Sequence, residues 1–284
     1  MASKKVILTL EGLQPPSNSN AWIINFGSEI LTGFTQNTNA TFLARKLSFL
    51  GYYVKRIMVV PDAYEEAGEE IQRWIEKKLG LLITTGGLGP TYDDSTLEMI
   101  SKVLSLPLEV NPEAFEMVKI YYERLGESLT DERVKMAKMP NGAIPIRNPV
   151  GAAPGSILRV ETGYIISLPG VPSEMRAMFE SAVEPILARW SKNKVSEEIL
   201  EITGIMESSL APYINAIAKE FPNTYIKTHP KGTEENPIVV VQIFASSKNE
   251  AEMNAIIAKV KEKIFSAVNK LGGSIEQKGG KEST

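Results

Sequence analysis

The chain has 284 residues, 43% of them hydrophobic and 23% charged, which is a globular composition long enough for roughly two domains. Its 31 Lys and Arg against 34 Asp and Glu leave a formal charge of -3, so no bulk positive field draws in nucleic acid or an anionic membrane. Cysteine is absent, which excludes disulfides, thiolate metal sites and cysteine nucleophiles, and a single histidine leaves little basis for a histidine-rich zinc site or a Ser-His-Asp triad.

Residues 1–20 read as an N-terminal extension that ends in the loop Pro15-Pro16-Ser17-Asn18-Ser19-Asn20. Its brief apolar stretch, Val6 to Leu10, is too short for a signal peptide, and no apolar run approaches the ~20 residues needed to span a bilayer. A cytoplasmic location is therefore expected. From Ala21 the chain alternates: a strand Trp22 to Phe26, a helix Thr38 to Leu50 stopped by Gly51, a strand Val54 to Val60 closed by Pro61-Asp62, a helix with Ile71, Trp74, Ile75 and Leu79, and a strand Leu81 to Thr84. Such alternation predicts parallel pairing with right-handed crossovers. Helices around Leu97–Leu104 and Phe115–Leu125 follow, then a short one over Asp131 to Met139 and two extended stretches, Ser156 to Val160 and Tyr164 to Leu168. One long helix with Met175, Phe179, Val183, Leu187 and Trp190 on a stripe should be kinked by Pro185.

Near Lys192 the pattern changes to strand (Glu198 to Ile202), helix (Leu210 to Phe221), strand (Thr224 to Lys227), strand (Ile238 to Ala245) and helix (Ala251 to Leu271). The sequence thus predicts an α/β protein: a three-layer, open, mostly parallel sheet over 21–192, and a smaller β-α-β-β-α domain over 193–275. Residues 276–284 read as a disordered tail, because Gln277 to Thr284 contains no apolar residue.

Three strands of the first domain end in glycine, at Gly27, Gly86 and Gly170, and ligands of open parallel sheets bind outside the carboxyl ends of the strands. Glycine also ends strands for ordinary turn reasons, so each loop alone is ambiguous. The loop Gly86-Gly87-Leu88-Gly89-Pro90-Thr91-Tyr92-Asp93-Asp94 is the richest, since glycines let backbone N–H groups face an anion at the start of the next helix. It is neither a P-loop nor a dinucleotide fingerprint. Asp93 and Asp94 either cap that helix or hold Mg²⁺ against a phosphate, and Ser95 with Glu98 has the spacing of a capping box that would free them for the metal. Leu168-Pro169-Gly170-Val171-Pro172-Ser173-Glu174 places a proline at the first helical position and leaves a second helix start beside the crevice. Glu29 and Asn39 have plain surface and helix-turn readings, and His229 reads as a loop residue.

These stretches resemble the molybdopterin-binding-like domain (MoaB/MogA-type) of molybdenum-cofactor biosynthesis proteins and of the competence/damage-inducible CinA family, the CinA branch being the close match. The resemblance rests on Gly27-Ser28-Glu29-Ile30-Leu31-Thr32-Gly33, Asn37-Thr38-Asn39, Thr84 to Thr96, Asn148-Pro149-Val150-Gly151-Ala152-Ala153-Pro154-Gly155 and Leu168 to Met175. It spans about Ala21 to Trp190, and the remainder looks like the family's KH-type domain, though without a G-x-x-G clamp for RNA. The resemblance implies a metal-dependent pyrophosphatase that splits ADP-ribose or a related nucleotide into AMP and a sugar phosphate. The site it implies comprises Gly27, Glu29, Asn39, Thr85, Gly86, Gly87, Gly89, Thr91, Asn148, Gly151, Pro169, Gly170 and Glu174 for the nucleotide, with Asp93 and Asp94 as catalytic metal ligands. It also implies a homo-oligomer, a dimer first, and no nicotinamide mononucleotide deamidase domain. The alternatives are a molybdopterin- or nucleotide-binding cofactor-biosynthesis protein and a non-catalytic nucleotide sensor. The sensor reading draws on Gln36-Asn37, where the family usually has an aspartate before the Thr-Asn pair.

Overall fold

The computed structural model describes residues 12–62 and 64–278. The chain divides into two compact units, Met1–Ser48 with Tyr52–Ser191, and Phe49–Gly51 with Lys192–Thr284. Among the described residues no helix is long and apolar enough to cross a membrane.

The larger unit is the three-layer α/β architecture. Its strands β1 (Asn20–Phe26), β2 (Tyr53–Val60), β3 (Leu81–Thr85), β6 (Ile144–Ile146), β7 (Gly155–Arg159) and β8 (Tyr164–Leu168) form one sheet in the order β2-β1-β3-β8-β7-β6. The first three junctions are parallel, and β7 and β6 add an antiparallel edge. A strand covered on both faces is mostly apolar, and β3 and β8 are buried at every position, including Thr84, Thr85 and Ser167, whereas β2 at the edge is buried only at Val60. Trp22, Ile24 and Phe26 of β1 point to one face and pack with Ala67, Ile71 and Trp74 of α3 (Tyr64–Glu76), Met99 and Ile100 of α4 (Thr96–Val103), and Val118 of α5 (Pro112–Arg124). On another layer, α2 (Thr38–Phe49) meets the C-terminal helical segment, with Phe42 and Phe179 edge to face at 5.8 Å and Lys46 3.1 Å from Glu184.

Three sequence expectations are refined in this unit. The described part of the N-terminal extension belongs to the packed structure: Leu13 is buried, its carbonyl accepts from Trp190 Nε1 at 3.3 Å, and the Gln14 carbonyl accepts from Tyr164 Oη at 2.5 Å. Residues 1–11 lie outside the described residues. The segment read as a helix to Met139 stops at Lys135 in α6 (Asp131–Lys135), and β5 (Lys138–Pro140) then pairs with β4 (Leu108–Val110). The predicted long helix is α7 (Pro172–Met178), a π-helical turn (Phe179–Val183) and α8 (Glu184–Trp190). Pro185 has no N–H to continue the ladder, and a widened π-helical turn stands just before it.

The smaller unit carries β9 (Lys194–Thr203), α9 (Glu207–Glu220), β10 (Thr224–Pro230), β11 (Ile238–Ser247), α10 (Glu250–Lys270) and β12 (Ser274–Lys278). Its sheet, in the order β10-β11-β9-β12, is antiparallel throughout. Leu200, Ile202, Val239, Val241 and Ile243 form its core with Leu210, Ile214, Val260 and Ile264 of the helices. Its pattern is β-α-β-β-α-β, one strand more than expected. The residues of the predicted tail that are described, 276–278, belong to β12, because backbone pairing with β9 orders polar residues that side-chain burial alone would not; 279–284 lie outside the described residues. His229, read as a loop residue, is in β10 with Nε2 3.4 Å from Gln242 Oε1.

Candidate functional site

The carboxyl ends of β1, β2, β3 and β8 open into one cavity of about 460 Å³. Its volume is that of a small-molecule site. Gly27 and Glu29 of the short α1 (Ser28–Leu31) region, Gly86, Gly87, Gly89, Asp93 and Asp94 of the glycine loop, and Pro169, Gly170 and Glu174 after β8 all line it.

The glycine loop is shaped by requirements only glycine meets. Gly86 has φ +98° and a Cβ there would lie 2.6 Å from the Phe26 carbonyl oxygen; Gly87 has φ +66° and its Cβ would lie 2.2 Å from Thr96 Oγ1. Thr96, which sequence reasoning passed over, fastens the loop to the start of α4: its hydroxyl donates to the Gly86 carbonyl at 2.9 Å and its N–H to the Gly87 carbonyl at 3.2 Å. The Gly86 N–H is used, donating to the Leu168 carbonyl at 3.0 Å. Among the described residues the N–H groups of Gly87, Leu88 and Gly89 have no acceptor. Leu88 is buried and Gly87 and Gly89 are half-buried, and all three line the cavity, so these donors are completed by water or by a ligand acceptor placed there.

The capping box expected at Ser95 and Glu98 is not formed. Ser95 is the N-cap of α4 without a side-chain bond, and Glu98 instead pairs with Lys102 at 3.0 Å. Nor do the two aspartates cap α4. Asp94 Oδ2 accepts from the Thr91 N–H at 2.9 Å and its hydroxyl at 2.6 Å, and Asp93 Oδ1 also contacts that hydroxyl. The Thr91 hydroxyl beside Asp93, with a backbone N–H, holds its carboxyl below the ordinary aspartate range. Lys135 Nζ donates to the Thr91 carbonyl and closes the turn from outside.

The remaining expected residues stand behind the wall. Asn148 donates to Glu174 Oε2 at 2.6 Å while its own oxygen accepts from the N–H of Val150 and of Gly151, at 3.0 and 2.8 Å. Asn39 is buried and donates to the Gly170 carbonyl at 2.7 Å. Thr85 accepts from Asn25 Nδ2 at 2.6 Å; Asn25 Oδ1 accepts from Asn37, whose own oxygen caps α2 through the Ala40 N–H at 3.0 Å. Asp62 is a wall residue that the sequence reading treated only as the end of β2. It lines the cavity and accepts from the N–H and hydroxyl of Ser28 at 3.0 and 3.1 Å. Its position at the carboxyl end of a parallel strand was the available signal.

The wall therefore carries five carboxylates, from Glu29, Asp62, Asp93, Asp94 and Glu174, and among the described residues no Lys, Arg or His. Phe26, Leu88, Tyr122 and Met136 supply an apolar side. Among the described residues no group of three or more acidic or histidine side chains is gathered closely enough to hold a metal ion unaided.

Residues 22–189 match the family described as a probable molybdopterin binding domain. The chain belongs to this family. Full-length relatives are proteins of Aeropyrum pernix, 45% identical over 259 residues that cover 90% of this chain and 96% of the relative, and of Sulfurisphaera tokodaii, 45% identical over 258 residues that cover 90% and 98%. Among solved structures the chain is similar to a CinA protein of unknown function from Thermoplasma acidophilum, with 42% identity and a TM-score of 0.55 over 59% of this chain and 98% of that one. The molybdopterin-binding-like match coincides with the unit that holds the crevice and ends before β9.

Proposed function

We propose that the crevice binds a nucleotide-like diphosphate together with Mg²⁺ and hydrolyses ADP-ribose or a related nucleoside diphosphate derivative to AMP and a sugar phosphate. The observation that carries this reading is the meeting of three unpartnered amides with a carboxylate wall that has no cation of its own. Amides of this kind select an anion, yet a diphosphate beside five carboxylates is repelled unless a divalent cation lies between them. The donor chemistry fits such an ion: all the available side-chain ligands are hard oxygens, and Mg²⁺ sites use one or two carboxylates completed by substrate oxygens and water. Asp93 and Asp94 would hold it, each committing one oxygen to Thr91 and leaving the other. When bound, the ion neutralises diphosphate charge and acidifies a coordinated water.

The chain's own residues do the rest. The Gly87, Leu88 and Gly89 amides hold phosphate oxygens as charge builds on them, and the start of α4 adds its dipole. Glu174, oriented by Asn148, and Glu29 offer acceptors to ribose hydroxyls, and Phe26, Tyr122 and Met136 give an aromatic ring an apolar surface. A water oxygen bonds to one phosphorus as the bridging P–O bond breaks, the electron pair leaving on the bridging oxygen and the water's proton passing to solvent, so that two monophosphates result.

The family description favours a second reading, in which the same crevice binds molybdopterin or its adenylylated form. The third reading, a non-catalytic sensor, draws on Asn37, which donates to Asn25 and caps α2, and a turnover assay separates it from the hydrolase. The deciding experiment incubates the purified protein with a panel of nucleoside diphosphate derivatives and divalent metals and measures AMP release. Metal-dependent release from ADP-ribose or a close analogue is expected; no turnover with any member, alongside tight binding, would sink the hydrolase.

A further inference from the structure

A second cavity of about 170 Å³ adjoins the crevice and shares Gly87, Leu88, Gly89, Asp94 and Met136 with it. The rest of its wall is mixed. Leu97 and Leu108 are apolar, and where the charged residues of the crevice are all carboxylates, this cavity adds Lys135 and Lys138, its additional acid, Glu98, being engaged by Lys102. Lys135 is half-buried at the end of α6 and held against the Thr91 carbonyl. Lys138 is exposed on β5 and, among the described residues, has no hydrogen-bond or ion-pair partner. The volume is too small for a whole ligand and suits one charged group of it.

We propose that this cavity is a second anion subsite, in which Lys135 and Lys138 hold the distal phosphate of a ligand whose proximal phosphate lies on the glycine-loop amides. The inference rests on the nucleotide reading above and deepens it. A loop with unpartnered amides that lies between a wall whose charges are all acidic and one that holds two lysines gives a diphosphate two distinct environments. One phosphate is bridged to carboxylates by a cation, and the other is neutralised directly by ammonium groups, which bind phosphate as point charges. A monophosphate would use only the first, so the lysines set the ligand class: diphosphates over monophosphates.

The test titrates the full chain with ADP and with AMP, each with Mg²⁺, by calorimetry. The wild type is expected to prefer ADP by at least ~10-fold, the scale of one charge-assisted contact. Lys138→Gln should reduce that preference severalfold with AMP affinity unchanged, and Lys138→Arg should restore it. The Lys138 side chain is exposed and, among the described residues, has no hydrogen-bond or ion-pair partner, so its variants should melt with the wild type. Lys135→Gln, which also loosens Thr91, is the second variant and should lower the ADP preference too. An ADP preference unchanged in Lys138→Gln, or absent from the wild type, overturns the lysine subsite alone. Failure of the wild type to bind either nucleotide overturns the nucleotide reading and this inference with it.

Discussion

The two units of this chain place their unanswered backbone groups differently. In the smaller one, α10 is capped by Asn249 through the N–H groups of Ala251 and Glu252, and the amides left without acceptors lie at exposed positions such as the loop Thr233-Glu234-Glu235. In the larger one, three consecutive amides at the end of a parallel strand are left without acceptors in a crevice lined by acids. Both sheets satisfy their own ladders, so strand pairing does not account for the contrast. Parallel strands all deliver their carboxyl ends to one edge, where loops from sequence-distant segments converge and no strand returns to cover them. Unanswered polarity there is what a ligand would complete.

The strongest way to break this comparison is to neutralise the acidic wall. Asp93→Asn and Asp94→Asn should each lower metal-dependent hydrolysis on the order of 10²-fold or more, because a carboxylate against the diphosphate's cation is lost. Neither residue caps α4, and an amide oxygen can still accept from Thr91, so melting should shift by no more than ~1 kcal/mol. Near wild-type activity in both would remove the metal role. The Asp93 carboxyl is held low in the folded chain, so whatever stability this brings is present above the unfolded value and lost as pH falls through the folded one.

Next in size is the shape of the loop itself. Gly87→Ala forces a side chain into the left-handed region and onto Thr96 Oγ1, and should cost ~2–3 kcal/mol by denaturant titration while weakening nucleotide binding. An unchanged midpoint would mean that the loop adapts and that its amides are not fixed by this geometry. Thr96→Val removes the buried bond to the Gly86 carbonyl and should cost ~1–3 kcal/mol, whereas Ser95→Ala, at a cap without a side-chain bond, should cost under ~0.5 kcal/mol. The reverse ranking in thermal melts would restore the capping box.

That pair marks where sequence reading works in this molecule. Burial on both faces writes β3 and β8 as mostly apolar runs, with only Thr84, Thr85 and Ser167 polar, and the glycines after β1, β3 and β8 announce loops at one edge, so the sheet and the crevice are legible. Legibility fails where backbone pairing or a distant partner decides. β12 and β5 are ordered by neighbouring strands, the π-helical turn lies ahead of the proline that signals the break, and Thr96 is read by its neighbours as a helix residue although its hydroxyl serves Gly86. Asp62 was hidden because the punctuation Pro61-Asp62 has a sufficient local explanation as a strand stop.

The smallest effect tests whether a departure from the usual family sequence belongs to the site or to the scaffold. Asn37 donates to Asn25 Oδ1 at 3.2 Å and caps α2 at Ala40, so in Asn37→Asp the cap survives but two oxygens face each other. Asn25 can resolve that by turning its amide over, donating to the new carboxylate and accepting from the Thr85 hydroxyl, which already lies 2.6 Å away. The same number of hydrogen bonds results, at the cost of a charge placed behind the wall. Stability should change by less than ~1 kcal/mol in thermal melts, and hydrolysis and metal affinity should stay within twofold of wild type. A gain of tenfold or more in metal affinity would show instead that position 37 reaches the crevice, and would make the carboxylate missing there a deficit of the site.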